Sequence, residues 1–144
     1  MPTCPLFDRS AWPQHANVKS QAAKKPLLGR RVLIVDDHLD SAQSLFFLLL
    51  DMGHDAAYAT SGLKALEKAR VLQPEFVFLD IGLPDLDGSD VARELRKIRG
   101  CEGVLIVAVT GLGDEHRPRM LRAGCDAFYV KPLDPKVVET FLAR

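Results

Sequence analysis

From Gly29 onward, short apolar runs alternate five times with segments of helical period. The runs at 31–36, 55–59, 75–80, 104–110 and 126–130 are predicted strands. The predicted helices are 39–52, 61–72, 89–99 and 114–123, with 135–143 closing the chain. Strict alternation of this kind predicts an α/β fold, a parallel sheet covered by helices on both faces. The first, third and fourth strands are almost wholly apolar, as strands buried on two sides must be, and the weaker second reads as an edge. Gly53, Gly100 and Gly124 stand where helices should stop. Pro118 falls in the first turn of the fourth helix, where a missing N–H costs little, so that helix is expected to be short and weakly held.

Residues 1–28 break the pattern. Pro2, Pro5, Pro13 and Pro26 lie among polar residues with no apolar period. This segment is expected to be a flexible tail anchored at most by Phe7 and Trp12, preceding one domain over 29–144. Nineteen basic and nineteen acidic residues cancel, and no basic stripe points to nucleic acid. Cys4, Cys101 and Cys125 form no CxxC pair, which argues against a metal or disulfide framework and for half-buried or buried thiols. The longest apolar run, Leu45 to Leu50, is far too short to span a membrane. A cytoplasmic protein without membrane contact is expected.

The chemistry gathers at strand ends. Asp36 and Asp37 end the first strand, and Asp80 ends the third, opening into the breaker-rich loop Ile81-Gly82-Leu83-Pro84-Asp85-Leu86-Asp87-Gly88. Open α/β sheets place ligands at the carboxyl ends of their strands, so three carboxylates should converge there as a metal site containing a nucleophile. Thr110 closes the fourth strand, and Lys131-Pro132 follows the fifth. Each has a plainer role open to it: Asp36 and Asp37 as helix caps, Asp80 as a turn residue, Thr110 as a strand end, Lys131 as a solvated lysine. Asp85, Asp87 and Asp90 are expected to cap or solubilise the third helix. His15, His38, His54 and His116 share no metal-ligand spacing, and His38 is expected to be a surface side chain at a helix start.

Taken together, Val35-Asp36-Asp37, Leu79-Asp80-Ile81-Gly82-Leu83-Pro84, Gly88, Val109-Thr110-Gly111 and Lys131-Pro132 resemble the receiver domain of two-component response regulators, of the chemotaxis-regulator type. The stretch from Val109 to Glu115 and the Lys131 to Pro135 ending are similar to receivers of hybrid histidine kinases. The resemblance implies a flavodoxin-like, doubly wound (βα)5 fold with a five-stranded parallel sheet in the order 2-1-3-4-5. It implies phosphorylation on Asp80, with Mg²⁺ on Asp37, Asp80 and the Gly82 backbone oxygen, and Asp36 acting mainly through water. Lys131 and Thr110 would hold phosphoryl oxygens, and the Lys131–Pro132 bond would be cis. Thr110 and Phe128 would form the switch, Phe128 standing where a tyrosine is commoner. A histidine kinase or histidine phosphotransfer protein would be the donor, and a phosphorylation-dependent dimer is a further association the resemblance allows. Such a protein catalyses only its own phosphorylation and dephosphorylation. Two alternatives stand beside a stand-alone receiver. One is a receiver module of a hybrid histidine kinase. The other is an Asp-nucleophile phosphohydrolase, which needs a second aspartate where Gly82 stands.

In the first helix, placing Leu45, Leu48, Leu49 and Met52 on the sheet leaves Phe46, Phe47 and Leu50 outward at helical spacing. Such an apolar patch is expected to be a partner surface for the donor protein.

Overall fold

The apolar runs pair as parallel strands in a computed structural model that describes residues 29–111 and 113–143. The strands are β1 (Arg31–Val35), β2 (Asp55–Ala59), β3 (Phe76–Asp80), β4 (Leu105–Thr110) and β5 (Ala127–Val130). Between and after them run α1 (Leu39–Asp51), α2 (Gly62–Leu72), α3 (Gly88–Lys97), α4 (Arg117–Arg122) and α5 (Pro135–Leu142). The sheet has the order β2-β1-β3-β4-β5, every pair parallel. This is the expected doubly wound topology, with β2 and β5 at the edges. The tail, Cys4, His15, Leu112 and Arg144 lie outside the described residues.

Strand alternation splits the core in two. Leu33, Val35, Val77, Leu79, Ile106, Ala108 and Phe128 face one layer, filled by residues of α2, α3 and α4 such as Ala65, Leu95 and Met120. Val32, Ile34, Phe76, Phe78, Val107 and Val109 face the other, under α1 and α5 with Leu49, Leu50, Val138 and Phe141. Because both faces are covered, β1, β3 and β4 had to be apolar nearly throughout.

Helix ends follow local chemistry. Asp87 and Asp134 accept from Ser89 N and Lys136 N at 3.0 and 2.8 Å and so open α3 and α5. Gly53, Gly100 and Gly124 take the positive φ that ends α1, α3 and α4. The end of α2 departs from that rule, since Gln73 itself adopts φ 51°. The Gln73 amide donates to Arg99 O at 3.1 Å, a tertiary bond that holds the left-handed turn without a glycine. Helix α4 is shorter than the expected 114–123. Pro118 has no N–H to return to residue 114, and Met120 N to His116 O, at 3.0 Å, is an early bond of this turn.

The loop after β3 folds back tightly. Leu83 N and Gly88 N both donate to Ile81 O, at 3.0 and 3.3 Å. A Cβ on Gly88 would stand 2.9 Å from Ile81 Cα and 3.2 Å from Asp80 O, whereas one on Gly82 would meet nothing within 4 Å. Gly88→Ala is therefore expected to cost about 1–3 kcal/mol through backbone overpacking, and Gly82→Ala to stay within about 0.5 kcal/mol. Urea unfolding of the two variants checks this contrast; equal losses would contradict it.

Candidate functional site

Neighbouring strands deliver the acids. Val35 pairs with Leu79 in the β1–β3 register, so the next residues, Asp36 and Asp80, emerge side by side at the carboxyl edge of the sheet. Both are buried, while the side chain of Asp37 is 31% exposed. Lys131 comes from beyond β5, where its backbone N donates to Thr110 O at 2.7 Å. From there its Nζ reaches Asp36 Oδ2 at 3.0 Å and Asp80 Oδ2 at 3.4 Å. The Lys131–Pro132 bond is cis. Thr110 ends β4 and is fully buried.

The oxygens facing away from Lys131 bond to backbone. Asp36 Oδ1 accepts from His38 N at 2.9 Å, and Asp80 Oδ1 accepts from Gly82 N at 3.4 Å. Asp36 thus turns the chain into α1, though the N-cap position itself falls to His38.

Charge sets the titration. Burial pushes the Asp80 carboxyl above its ordinary value; the Lys131 ammonium opposes this and the Asp36 charge adds to it. Burial works against the Lys131 ammonium, but hydrogen bonds and charge from Asp36 and Asp80 outweigh it and hold its pKa up. One donor atom from each of Asp36, Asp37, His38 and Asp80 lies within 4.8 Å of the others. With Gly82 open beside them, this mainly oxygen donor set and its excess negative charge suit a hard divalent cation.

Residues 32–143 match the sequence model of the response regulator receiver domain. The chain belongs to this family. Receivers are signalling modules of two-component systems, and they bind Mg²⁺ at an acidic site of this kind. The chain is 35% identical over 115 residues to the chemotaxis protein CheY of Thermotoga maritima, covering 78% of this chain and 94% of the relative. It is 37% identical over 107 residues to the DNA-binding response regulator MtrA of Mycobacterium tuberculosis, covering 74% of this chain and 46% of that protein. The chain thus spans about half the length of several curated relatives it matches. Among solved structures, a CheY-like receiver from Methanospirillum hungatei superposes with TM-score 0.74 at 28% identity, over 80% of this chain and 91% of that one. The receiver of a sensor histidine kinase from Pseudomonas aeruginosa gives 0.73 at 26% identity, over 81% and 96%, and that structure holds a magnesium ion in its active-site cleft.

This receiver differs from the sequence expectations at several side chains. On α1 the packed face is wider than the one inferred, with Leu49 buried and Leu45 against the core as expected. Leu50 is buried, and Phe46 packs edge-on against Tyr58 at 5.3 Å, so of Phe46, Phe47 and Leu50 only Phe47 is exposed to half its surface. Leu45 and Leu48 also line a 660 Å³ groove that runs to Asp36, Asp80 and Lys131. Asp85 does not serve α3. It accepts from Gly62 N and Leu63 N at 2.7 and 2.9 Å and caps α2, bonds that hold its carboxyl below the usual range. Asp90 lies exposed against Arg93 at 3.1 Å. Phe128 is buried, with the Arg117 guanidinium 5.0 Å over its ring, and Tyr129 faces the opposite layer. Cys101 and Cys125 are free, buried thiols, and burial pushes Cys125 up to about 12. His38 is exposed as expected but reaches the acid pair. Its position directly after Asp37 was the one available signal.

The raised Asp80 pKa has a fixed sign in stability. Between the ordinary value of 3.8 and the raised one, the folded state keeps a proton that the unfolded chain has released. The contribution of Asp80 is therefore fully present below 3.8 and lost as pH rises through the folded value. In chelator, the stability of wild type relative to Asp80→Asn is expected to fall across that window, as read by urea melts at several pH values. A difference that rises with pH would contradict the assignment.

Proposed function

We propose that this receiver accepts a phosphoryl group on Asp80 from a histidine kinase or histidine phosphotransfer protein and signals by protein contact. One observation carries the reading: Asp36, Asp37 and Asp80 meet at one sheet edge, with Lys131 Nζ against two of them. Phosphoryl transfer asks the protein for position and charge more than for covalent chemistry. An Asp80 oxygen forms the bond to phosphorus as the P–N bond of the donor breaks. The bonding pair returns to the donor imidazole, which takes a proton from water, and Asp80 is left as a mixed anhydride. Lys131, kept charged by the carboxylates, lies close enough to Asp80 to transfer its contact to an incoming phosphoryl oxygen. Thr110, at the neighbouring strand end, is proposed to donate a hydroxyl hydrogen bond to a second phosphoryl oxygen, and its movement with Phe128 is the proposed switch.

Asp37, Asp80 and the Gly82 carbonyl would hold Mg²⁺ directly, with Asp36 acting through water. When bound, the ion offsets the mutual repulsion of the carboxylates and the charge of the incoming group. The chain would act on no external substrate, catalysing only its own phosphorylation and dephosphorylation. Buried free thiols suit the reducing cytoplasm this role implies. A receiver module of a hybrid histidine kinase is a second reading, favoured by the likeness to the Pseudomonas aeruginosa kinase receiver. DNA binding, part of the name of relatives about twice as long, is not carried over.

Incubation with Mg²⁺ and a small phosphoryl donor is expected to add one phosphoryl group to wild type and none to Asp80→Asn, read by intact mass. Modification of the variant as well would overturn the assignment. Lys131→Ala is expected to slow the reaction about 100-fold or more. Because the Asp80 pKa is raised, both rate and Mg²⁺ affinity should climb with pH through a range above 3.8; flat profiles there would refute the cluster.

Phe47, half exposed on α1, is the remaining candidate for donor contact. Phe47→Asp should slow transfer from a phosphotransfer protein by about tenfold and leave small-donor phosphorylation unchanged. Equal rates from the protein donor would remove Phe47 from that surface.

A further inference from the structure

We propose that His38 is a nitrogen ligand of the acidic site and biases it toward borderline divalent cations such as Zn²⁺. The inference rests on the reading that the three carboxylates hold a divalent cation, and it adds a ligand and a selectivity to that site. His38 occupies the N-cap position of α1 with extended backbone, yet its side chain makes no capping hydrogen bond. The ring turns instead to the acids, with Nδ1 at 3.2 Å from Asp37 Oδ1 and 3.5 Å from Asp36 Oδ1. Its attachment point is fixed, since His38 N donates to Asp36 Oδ1 at 2.9 Å. The ring itself is 72% exposed, so no packed core resists a small rotation.

The spacing is close to that of a chelate. Ligands held at about 2.1 Å from one ion stand at most about 4.2 Å apart. The donor atoms of Asp36, Asp37, His38 and Asp80 already lie within 4.8 Å of one another. Lys131 does not compete for the same face, because it engages Asp36 Oδ2 and Asp80 Oδ2 while His38 approaches Oδ1 of Asp36. An all-carboxylate site suits Mg²⁺, whereas an imidazole nitrogen adds affinity for Zn²⁺ and similar ions and little for Mg²⁺. A Zn²⁺ ion held this way uses the carboxylates assigned to Mg²⁺ and therefore competes with it.

The test titrates the full chain separately with Mg²⁺ and Zn²⁺ by calorimetry, for wild type, His38→Ala and Asp37→Asn. Zn²⁺ bound elsewhere is told apart by competition with Mg²⁺. The Nδ1 resonance of His38 is followed by NMR in parallel. His38→Ala is expected to weaken the Mg²⁺-competed Zn²⁺ binding about 10–100-fold and to leave Mg²⁺ affinity within about twofold. The wild-type resonance should shift with Zn²⁺ and not with Mg²⁺. Unchanged Zn²⁺ affinity, or equal losses for both ions, would overturn the assignment. If Asp37→Asn weakens both ions and His38→Ala neither, only the role of His38 fails. If Asp37→Asn weakens neither, the acidic site itself fails and this inference with it.

Discussion

The contact on which the site depends is the reach of Lys131 Nζ to Asp36 and Asp80, across strands that are distant in sequence. Two carboxylates buried side by side repel each other and lose hydration, costs that a single shared ammonium offsets only in part. The upward push on the Asp80 carboxyl is the sign of that incomplete compensation. Asp37 adds a third negative charge, with His38 Nδ1 at 3.2 Å from its Oδ1. The residues of the site thus carry an excess of negative charge, and the protein tolerates it because sheet pairing fixes the strand ends. The same excess attracts a divalent cation and, without one, repels an approaching anion.

Much of the fold was legible because its signals are local. Strand and helix periods, the glycine stops at Gly53, Gly100 and Gly124, and the apolar β1, β3 and β4 each depend on a few adjacent residues. The gathering of Asp36, Asp80, Thr110 and Lys131 at one edge was legible for a different reason. In a parallel sheet every strand delivers its last residue to the same side, so strand-end identity is almost positional information. What stayed hidden is tertiary. Asp85 caps a helix more than twenty residues earlier, at Gly62 and Leu63, a partner no local rule selects. The outward face of α1 was misjudged at Phe46 and Leu50 because Leu45 through Leu50 is an unbroken apolar run, in which helical period cannot bound a face. Packing decides it: Leu49 and Leu50 enter the core, and Phe46 finds Tyr58 on β2.

The loop after Asp80 ties the site to the far side of the molecule. Gly82 N bonds the Asp80 carboxylate, Ile81 O gathers Leu83 N and Gly88 N, and Asp87 opens α3. Arg119 of α4 then ion-pairs with Asp87 and bonds Ser89 Oγ at 3.0 Å. Burial disfavours the Asp87 carboxylate, but Ser89 and Arg119 more than compensate and hold its pKa down. Two residues earlier on α4, Arg117 covers the Phe128 ring. A six-residue helix opened by a proline has little intrinsic stability, so its place is set by these two arginines and by buried Met120. Two chains of contacts run from the Asp80 edge of the sheet toward α4, through the loop to Arg119 and along β5 to Phe128 under Arg117. The shortest helix among the described residues is the one that both chains of contacts reach, which is where the proposed two-state element biased by phosphorylation belongs.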